Sequence, residues 1–335
     1  MKSTTNLIII FFLVMPLLLL SYQIGTPENI SLAKSNIGEY IKTPLFLSTL
    51  TKSSNAEKEN RPQRNFNEPE PDLTAISALA WDTKYNAILL DKNSNEIRPI
   101  ASLTKLITAA VVLDYDQTDE TTAVSRKAIQ NEGDSGNLKE GEILTIYNLL
   151  GAALIESSND AAYALAEYTG HKIINSGGMK ASTVLPIRVF VKAMNQKFNN
   201  LNLTQSYFTD SSGLEDVNSF STATDLSKFI KYLREGLTYV PIWQITQLKK
   251  MRAVAENGLA SHEFTSTNPF LNEFNNVIGG KTGYTSRALG NMILILKSPD
   301  EKSEIVYIIL GSEDRFGDMR KLVKWSETAW RWPNK

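Results

Sequence analysis

The sequence predicts an α/β protein of the α+β type, with an antiparallel sheet of about five strands and a helical block inserted between strands 2 and 3. Short β-rich segments at residues 76–81 and 87–90 flank a turn, and others follow near the end, at 277–282, 291–297 and 304–310. The long stretch between these groups has helical periodicity instead. A cleft between the sheet and the helical block is the expected place for a functional site.

The helical block opens with residues 100–113, a run that is too long for a strand and apolar on every face. Such a helix is expected in the centre of a domain. The later segments with apolar residues at helical spacing are 146–155, 161–168, 186–198 and 223–237, and a closing helix is predicted at 318–332. Thr222 is a suitable N-cap for the segment that follows it.

The N-terminal residues differ from the rest of the chain. The apolar run at residues 7–20 is long for the core of a signal peptide and short for a membrane-spanning helix, which needs about 20 residues. We therefore expect residues 1–22 to be a signal peptide or an N-terminal membrane anchor, and cleavage stays open. Either role places the protein outside the cytoplasm, in the cell envelope.

After an ambiguous stretch at residues 21–50, residues 51–72 form a polar segment with Pro62, Pro69 and Pro71 among charges of both signs. This composition is typical of a spacer that cannot bury a core. We expect residues 23–72 to form a disordered linker and residues 73–335 to form the folded domain.

The composition excludes several classes of function. Lysine and arginine number 35 against 36 acidic residues, a net charge of −1, so the chain has no basic footprint for nucleic acid. It has no cysteine, hence no thiolate nucleophile or cysteine-based metal site. Its two histidines, His171 and His262, lack the spacing of metal-ligand pairs. No metal or cofactor is expected.

The most informative pair is Ser102 and Lys105, which lie three residues apart within the apolar run. On a helix, positions i and i+3 share a face, so the amine can reach the hydroxyl. A lysine buried in an apolar environment tends to lose its proton, and a neutral amine can activate a serine. The pair therefore predicts a nucleophile and its base, although Ser-x-x-Lys alone is common.

Two later motifs accompany this pair. Ser157 and Asn159 form Ser-x-Asn between two helical stretches, and residues 281–283 form Lys-Thr-Gly on a β-rich segment. In this order, the three motifs resemble the signature of penicillin-binding proteins and serine β-lactamases. Flanking sequence at residues 98–109, 158–162 and 213–226 is similar to the D-alanyl-D-alanine carboxypeptidase and endopeptidase family of low-molecular-mass penicillin-binding proteins. The resemblance covers about residues 76–310 and implies a DD-peptidase/β-lactamase-like fold.

The resemblance also implies catalytic roles. Ser102 would be the acylated nucleophile, Lys105 its base, and Ser157 the group that relays the proton to the leaving amine. The backbone N–H groups of Ser102 and Tyr284 would form the oxyanion hole. A second ammonium, that of Lys281, would lower the proton affinity of Lys105 by repulsion.

The resemblance also implies which residues would bind substrate. Asn159 would hold the peptide group of the substrate, and Lys281 with Thr282 would bind its terminal carboxylate. Gly283 would let the strand approach a peptide closely. Two departures from the family pattern are Ser158, where glycine or alanine is frequent, and Leu289, which is expected to narrow the space behind the Lys281 strand.

The expected function is that of a serine D-alanyl-D-alanine carboxypeptidase acting on peptidoglycan stem peptides through an acyl-enzyme on Ser102, with β-lactam antibiotics as covalent inhibitors. A DD-endopeptidase uses the same chemistry and stays an alternative. A class A-like β-lactamase is another, but it needs a carboxylate for deacylation. Glu215 with Asn218 is the nearest candidate pair, and its spacing is too short. A scaffold without catalysis would not need all of these polar residues.

Overall fold

The computed structural model describes residues 61–130, 137–177, 185–214 and 218–333. Its central feature is a five-stranded antiparallel sheet made of β2 (Ser77–Asp82), β3 (Ala87–Lys92), β8 (Val277–Thr285), β9 (Leu289–Lys297) and β10 (Glu304–Ser312). The strands lie in the order β3-β2-β10-β9-β8. The predicted sheet is confirmed, with two strands from the start of the domain and three from its end.

The two parts of the sheet join in its middle. β2 pairs with β10 in antiparallel register, with Ser77 opposite Leu310 and Asp82 opposite Ile305. β9 and β10 form the predicted hairpin, whose turn is closed by the Ser298 N–H bond to the Ser303 carbonyl at 2.9 Å. The helical block therefore leaves the sheet after β3 and returns to it at β8.

The inserted block contains helices and two short hairpins. The helices are α1 (Thr104–Tyr115), α2 (Ile146–Gly151), α3 (Asn159–Ser176), α4 (Pro186–Asn200), α5 (Ala223–Glu235) and α6 (Val240–Thr246). The hairpins pair β4 (Thr121–Ala123) with β5 (Ile143–Thr145) and β6 (Lys250–Val254) with β7 (Ser261–Thr265). After the hairpins, α7 (Phe270–Glu273) precedes β8, and α8 (Arg315–Ala329) follows β10.

The sheet separates two apolar cores because side chains alternate along each strand. On β10, Val306 and Ile308 belong to the core shared with the helical block. Tyr307 and Ile309 point the other way and pack in the core that includes α8. The helix α1 is buried along residues 104–113, as its apolar sequence predicts.

The closing helix begins three residues earlier than predicted, at Arg315 rather than at residue 318. Asp314 caps it, since its Oδ1 accepts from the Gly317 N–H at 2.9 Å. Its end is also earlier, because Trp330 already belongs to β11 (Trp330–Arg331).

The expected linker is ordered in its last part. β1 (Gln63–Arg64) pairs with β11, and Trp325 donates its indole N–H to the Pro69 carbonyl at 2.6 Å. The expectation of disorder up to residue 72 is therefore wrong for residues 62–72. Trp325 of α8 and the strand β11, which follows α8, bind this segment. Composition alone does not reveal such contacts.

The expected signal peptide or anchor, residues 1–22, lies outside the described residues, as does the linker up to residue 60. Within the described ranges, no helix is both long and apolar enough to cross a bilayer.

Candidate active site

Ser102 lies in a tight turn of 3₁₀-helix, Ala101–Leu103, which leads into α1. Ala101 has φ 48°, a left-handed conformation that strains a residue with a side chain. Gly213, with φ 81°, packs directly against the Ala101 carbonyl, where a Cβ atom would collide. This turn leaves Ser102 half-buried at the start of the helix, while Lys105 behind it is fully buried.

The Lys105 amine is the centre of the polar cluster. Nζ donates to Ser102 Oγ at 2.9 Å, to Asn159 Oδ1 at 2.7 Å and to the Ser212 carbonyl at 2.9 Å. Burial lowers the pKa of Lys105 to about 7, and the negative charge of Asp210 acts in the opposite direction. A neutral amine, which can accept the Ser102 proton, is therefore well populated near neutral pH.

Ser157 enters the site from an unusual local structure. The chain after α2 widens into a π-helical turn, Ala152–Glu156, and Ser157 then has φ 72°. π-Turns inside helices are frequent at functional sites. Ser158 is buried and caps α3, with its Oγ accepting from the Ala161 N–H at 3.1 Å. A serine is thus well suited to this middle position of the motif.

Lys281 approaches from β8 on the opposite side. Its Nζ donates to Ser157 Oγ at 2.9 Å and to the Thr282 carbonyl at 2.9 Å. Burial, followed by repulsion from Lys105 and then Arg315, holds the pKa of Lys281 well below its usual range. Repulsion between the lysines is thus present, but burial is the largest cause for both side chains.

The remainder of the Lys-Thr-Gly segment borders the nucleophile. Thr282 Oγ1 lies 2.6 Å from Thr267 Oγ1. A Cβ atom on Gly283 would stand 3.0 Å from the Ser102 backbone nitrogen, so β8 comes as close as only glycine allows. Tyr284 follows on β8 and is 60% exposed. The structure thus brings together every residue proposed from the motifs.

Leu289 does not lie behind Lys281. It pairs with Thr285 at the hairpin end, whereas Ile293 lies opposite Lys281. The strand register thus places Leu289 beside the end of the Lys281 strand rather than beside its lysine. A narrowing of the space behind that strand stays a prediction. Glu215, the candidate deacylating carboxylate of the β-lactamase alternative, lies outside the described residues.

Sequence patterns did not identify two charged residues near the lysines. Arg315, at the start of α8, lies with its guanidinium carbon 5.5 Å from the centre of the Tyr284 ring, and burial lowers its pKa. Asp210 lies in the loop before Gly213 and acts on Lys105. Neither belongs to a spaced motif, and the fold alone brings them to the site. Among the described residues, no cluster of His, Asp or Glu has the form of a metal site.

The family model for peptidase S11, D-alanyl-D-alanine carboxypeptidase, matches residues 64–314. The chain belongs to this family. It is 28% identical over 266 residues to a D-alanyl-D-alanine endopeptidase of Escherichia coli, which covers 78% of this chain and 79% of that protein. It is 29% identical over 302 residues to the D-alanyl-D-alanine carboxypeptidase DacD of the same organism, covering 86% and 70%.

Solved structures have the same fold. The DD-transpeptidase of Streptomyces K15 superposes with a TM-score of 0.68 at 22% identity, over 78% of this chain and 99% of that one. A D-alanyl-D-alanine carboxypeptidase from Mycobacterium tuberculosis gives 0.66 at 24% identity, over 79% and 96%. The family is one of serine hydrolases, and the DD-peptidase fold expected from the motifs is confirmed.

Proposed function

We propose that this member of the family is a D-alanyl-D-alanine carboxypeptidase that forms an acyl-enzyme on Ser102 with peptidoglycan stem peptides. The observation that carries the proposal is the bond of 2.9 Å between a fully buried Lys105 amine and a half-buried Ser102 hydroxyl. The second lysine, Lys281, contacts Ser157 at the opposite side of the same cleft.

In the acylation step, neutral Lys105 takes the Ser102 proton while Oγ attacks the carbonyl carbon of the penultimate D-alanine. The backbone N–H groups of Ser102 and Tyr284 stabilise the resulting oxyanion, and a single such donor is worth about 2.7–4 kcal/mol. When the C–N bond breaks, the proton passes from Lys105 through Ser157 to the leaving amine. Water then hydrolyses the ester and frees Ser102.

Lys281 and Thr282 bind the terminal carboxylate in this proposal, and Asn159 and Gly283 hold the peptide beside β8. A carboxylate next to a buried ammonium forms a charge-assisted hydrogen bond, which is stronger than a neutral one. Because the carboxylate favours protonated Lys281, it also favours loss of the proton from Lys105 nearby.

The same site explains the expected partners. β-Lactam antibiotics, which carry a carboxylate beside a reactive amide, would acylate Ser102. Peptidoglycan lies in the bacterial cell envelope, where an N-terminal segment acting as a signal peptide or membrane anchor would deliver the enzyme.

Covalent labelling with a fluorescent penicillin tests the acyl-enzyme. Intact-mass analysis should show one adduct on the wild-type protein and none on Ser102→Ala. An unchanged adduct on Ser102→Ala would contradict the assignment of the nucleophile.

Digestion of purified muropeptides tests the choice of substrate. Loss of the terminal D-alanine from monomeric pentapeptides, with cross-linked dimers left intact, is expected of the carboxypeptidase. Cleavage of dimers would favour the endopeptidase, an activity that the name of the Escherichia coli relative also carries. Rapid turnover of penicillin without stable label would instead favour the β-lactamase.

A further inference from the structure

The loop before Gly213 is attached to the nucleophile helix at several points. The Ser212 carbonyl accepts from Lys105 Nζ at 2.9 Å, and the Ser211 carbonyl accepts from Thr108 Oγ1 at 2.6 Å. Gly213 packs against the Ala101 carbonyl beside the nucleophile. The position of this loop therefore determines one of the contacts of the Lys105 amine.

The Asp210 side chain fixes the conformation of this loop by hydrogen bonds. Its Oδ1 accepts from the Ser212 N–H at 2.6 Å, from Ser212 Oγ at 2.9 Å and from the Leu214 N–H at 3.3 Å. A single carboxylate oxygen thus closes the turn that presents the Ser212 carbonyl to Lys105.

The other oxygen of Asp210 has a different environment. Oδ2 is buried, and no hydrogen-bond partner for it is found among the described residues. In the part of the chain that the structure describes, no cation therefore contacts this oxygen, and the charge of Asp210 acts through space on the Lys105 ammonium. In a poorly solvated site, such a charge is weakly screened.

From this geometry we propose that Asp210 is a positioning residue for Lys105, which holds the Ser212 carbonyl against the amine and faces it with a buried negative charge. The inference rests on the proposed role of Lys105 as base. Asp210 touches neither Ser102 nor substrate in this assignment.

The charges around Lys105 come from two directions. Lys281 of β8 repels its ammonium, and Arg315 of α8 acts on Lys281 in the same sense. Asp210 provides the opposing attraction from the loop, while Ser102, Asn159 and Ser212 offer neutral oxygens. Without Asp210, burial would favour the neutral Lys105 amine with no opposing charge, and the amine would then be a weaker base.

The test separates the charge of Asp210 from its hydrogen bonds. Asp210→Asn keeps Oδ1 as the acceptor and removes the charge, and Asp210→Ala removes both. The readout is the rate of Ser102 acylation by penicillin as a function of pH. In the wild-type protein the rate should rise with pH around a midpoint of about 7.

In Asp210→Asn, the midpoint should move to lower pH by about one unit, as expected when a nearby opposite charge is lost. The plateau should fall roughly threefold, since a weaker base transfers the proton less well. Asp210→Ala should show the same displacement with a larger loss of rate. Glu263→Gln, which removes an exposed carboxylate paired with Lys250, is the control and should leave the midpoint unchanged.

An unmoved midpoint in folded Asp210→Asn would overturn the inference, and so would loss of rate in both variants with a wild-type pH profile. If Asp210→Asn does not fold, Asp210→Ser, which keeps a short acceptor without charge, should give the same displacement. Failure of the wild-type protein to form any adduct would refute the proposed function instead, so the two failures are distinguishable.

Discussion

At the scale of single residues, the site depends on two lysines that burial drives toward their neutral forms. Lys105 and Lys281 are both fully buried, and the charged form of each lacks the solvation that it would have in water. The proposed mechanism needs them in different states, with Lys105 neutral and Lys281 charged. The repulsion between them opposes two protons on the pair. In the proposed mechanism, the carboxylate of the substrate is what places the remaining proton on Lys281.

Lys281→Met tests this division. The variant keeps the length of the side chain and removes its charge, so a carboxylate-bearing penicillin should acylate Ser102 about 10- to 100-fold more slowly, which corresponds to one lost charged hydrogen bond of about 1.5–3 kcal/mol. The midpoint of the pH profile should rise, because Lys105 no longer faces a second cation. Undiminished acylation would contradict the role of Lys281, and thermal melting should verify the fold.

At the scale of elements, the patterns that predicted the structure were those of buried segments. α1 and the strands β9 and β10 bury long apolar runs, so their sequence pattern reflects their final environment. The hairpin of β6 and β7 was not predicted, since its tip is exposed and its strands carry mostly polar residues.

The same contrast applies to the site. The sequence proposes Ser102, Lys105, Ser157, Asn159 and Lys281 because each lies in a short motif. It does not single out Asp210 and Arg315, because only the complete fold brings this loop and this helix end to the lysines.

Gly213→Ala tests how closely the loop must pack against the nucleophile turn. Both the positive φ and the Ala101 carbonyl oppose a methyl group there. The backbone conformation alone should cost about 1–3 kcal/mol, and the collision should shift the Ser212 carbonyl and slow acylation. Gly258→Ala is a matched control, since Gly258 has φ 71° but no atom of the described residues lies within 4 Å of the added Cβ. Equal melting temperatures and acylation rates in both variants would show that the contact is unimportant.

At the scale of the whole molecule, the start and the end of the folded domain are joined on α8. Arg64 of β1 lies over the Trp325 ring, with its guanidinium carbon 4.7 Å from the ring centre, and it donates to the Ala329 carbonyl at 3.3 Å. The N-terminus of α8 carries Arg315 near Tyr284, and its 15 residues span about 22 Å. The chain therefore enters the domain at the end of α8 remote from the active site.

Arg64→Ala should for this reason lower stability without affecting catalysis. Loss of the cation–π contact and of hydrogen bonds from a charged donor should cost about 1–3 kcal/mol. In a domain of this size, the melting temperature should then fall by about 2–4 °C for each kcal/mol. The acylation rate of Ser102 at 25 °C should be unchanged. Arg61→Ala, which removes an equal charge at an exposed neighbouring position, is the control and should melt as the wild type. A fall in acylation with Arg64→Ala would mean that this attachment acts on the active site through α8.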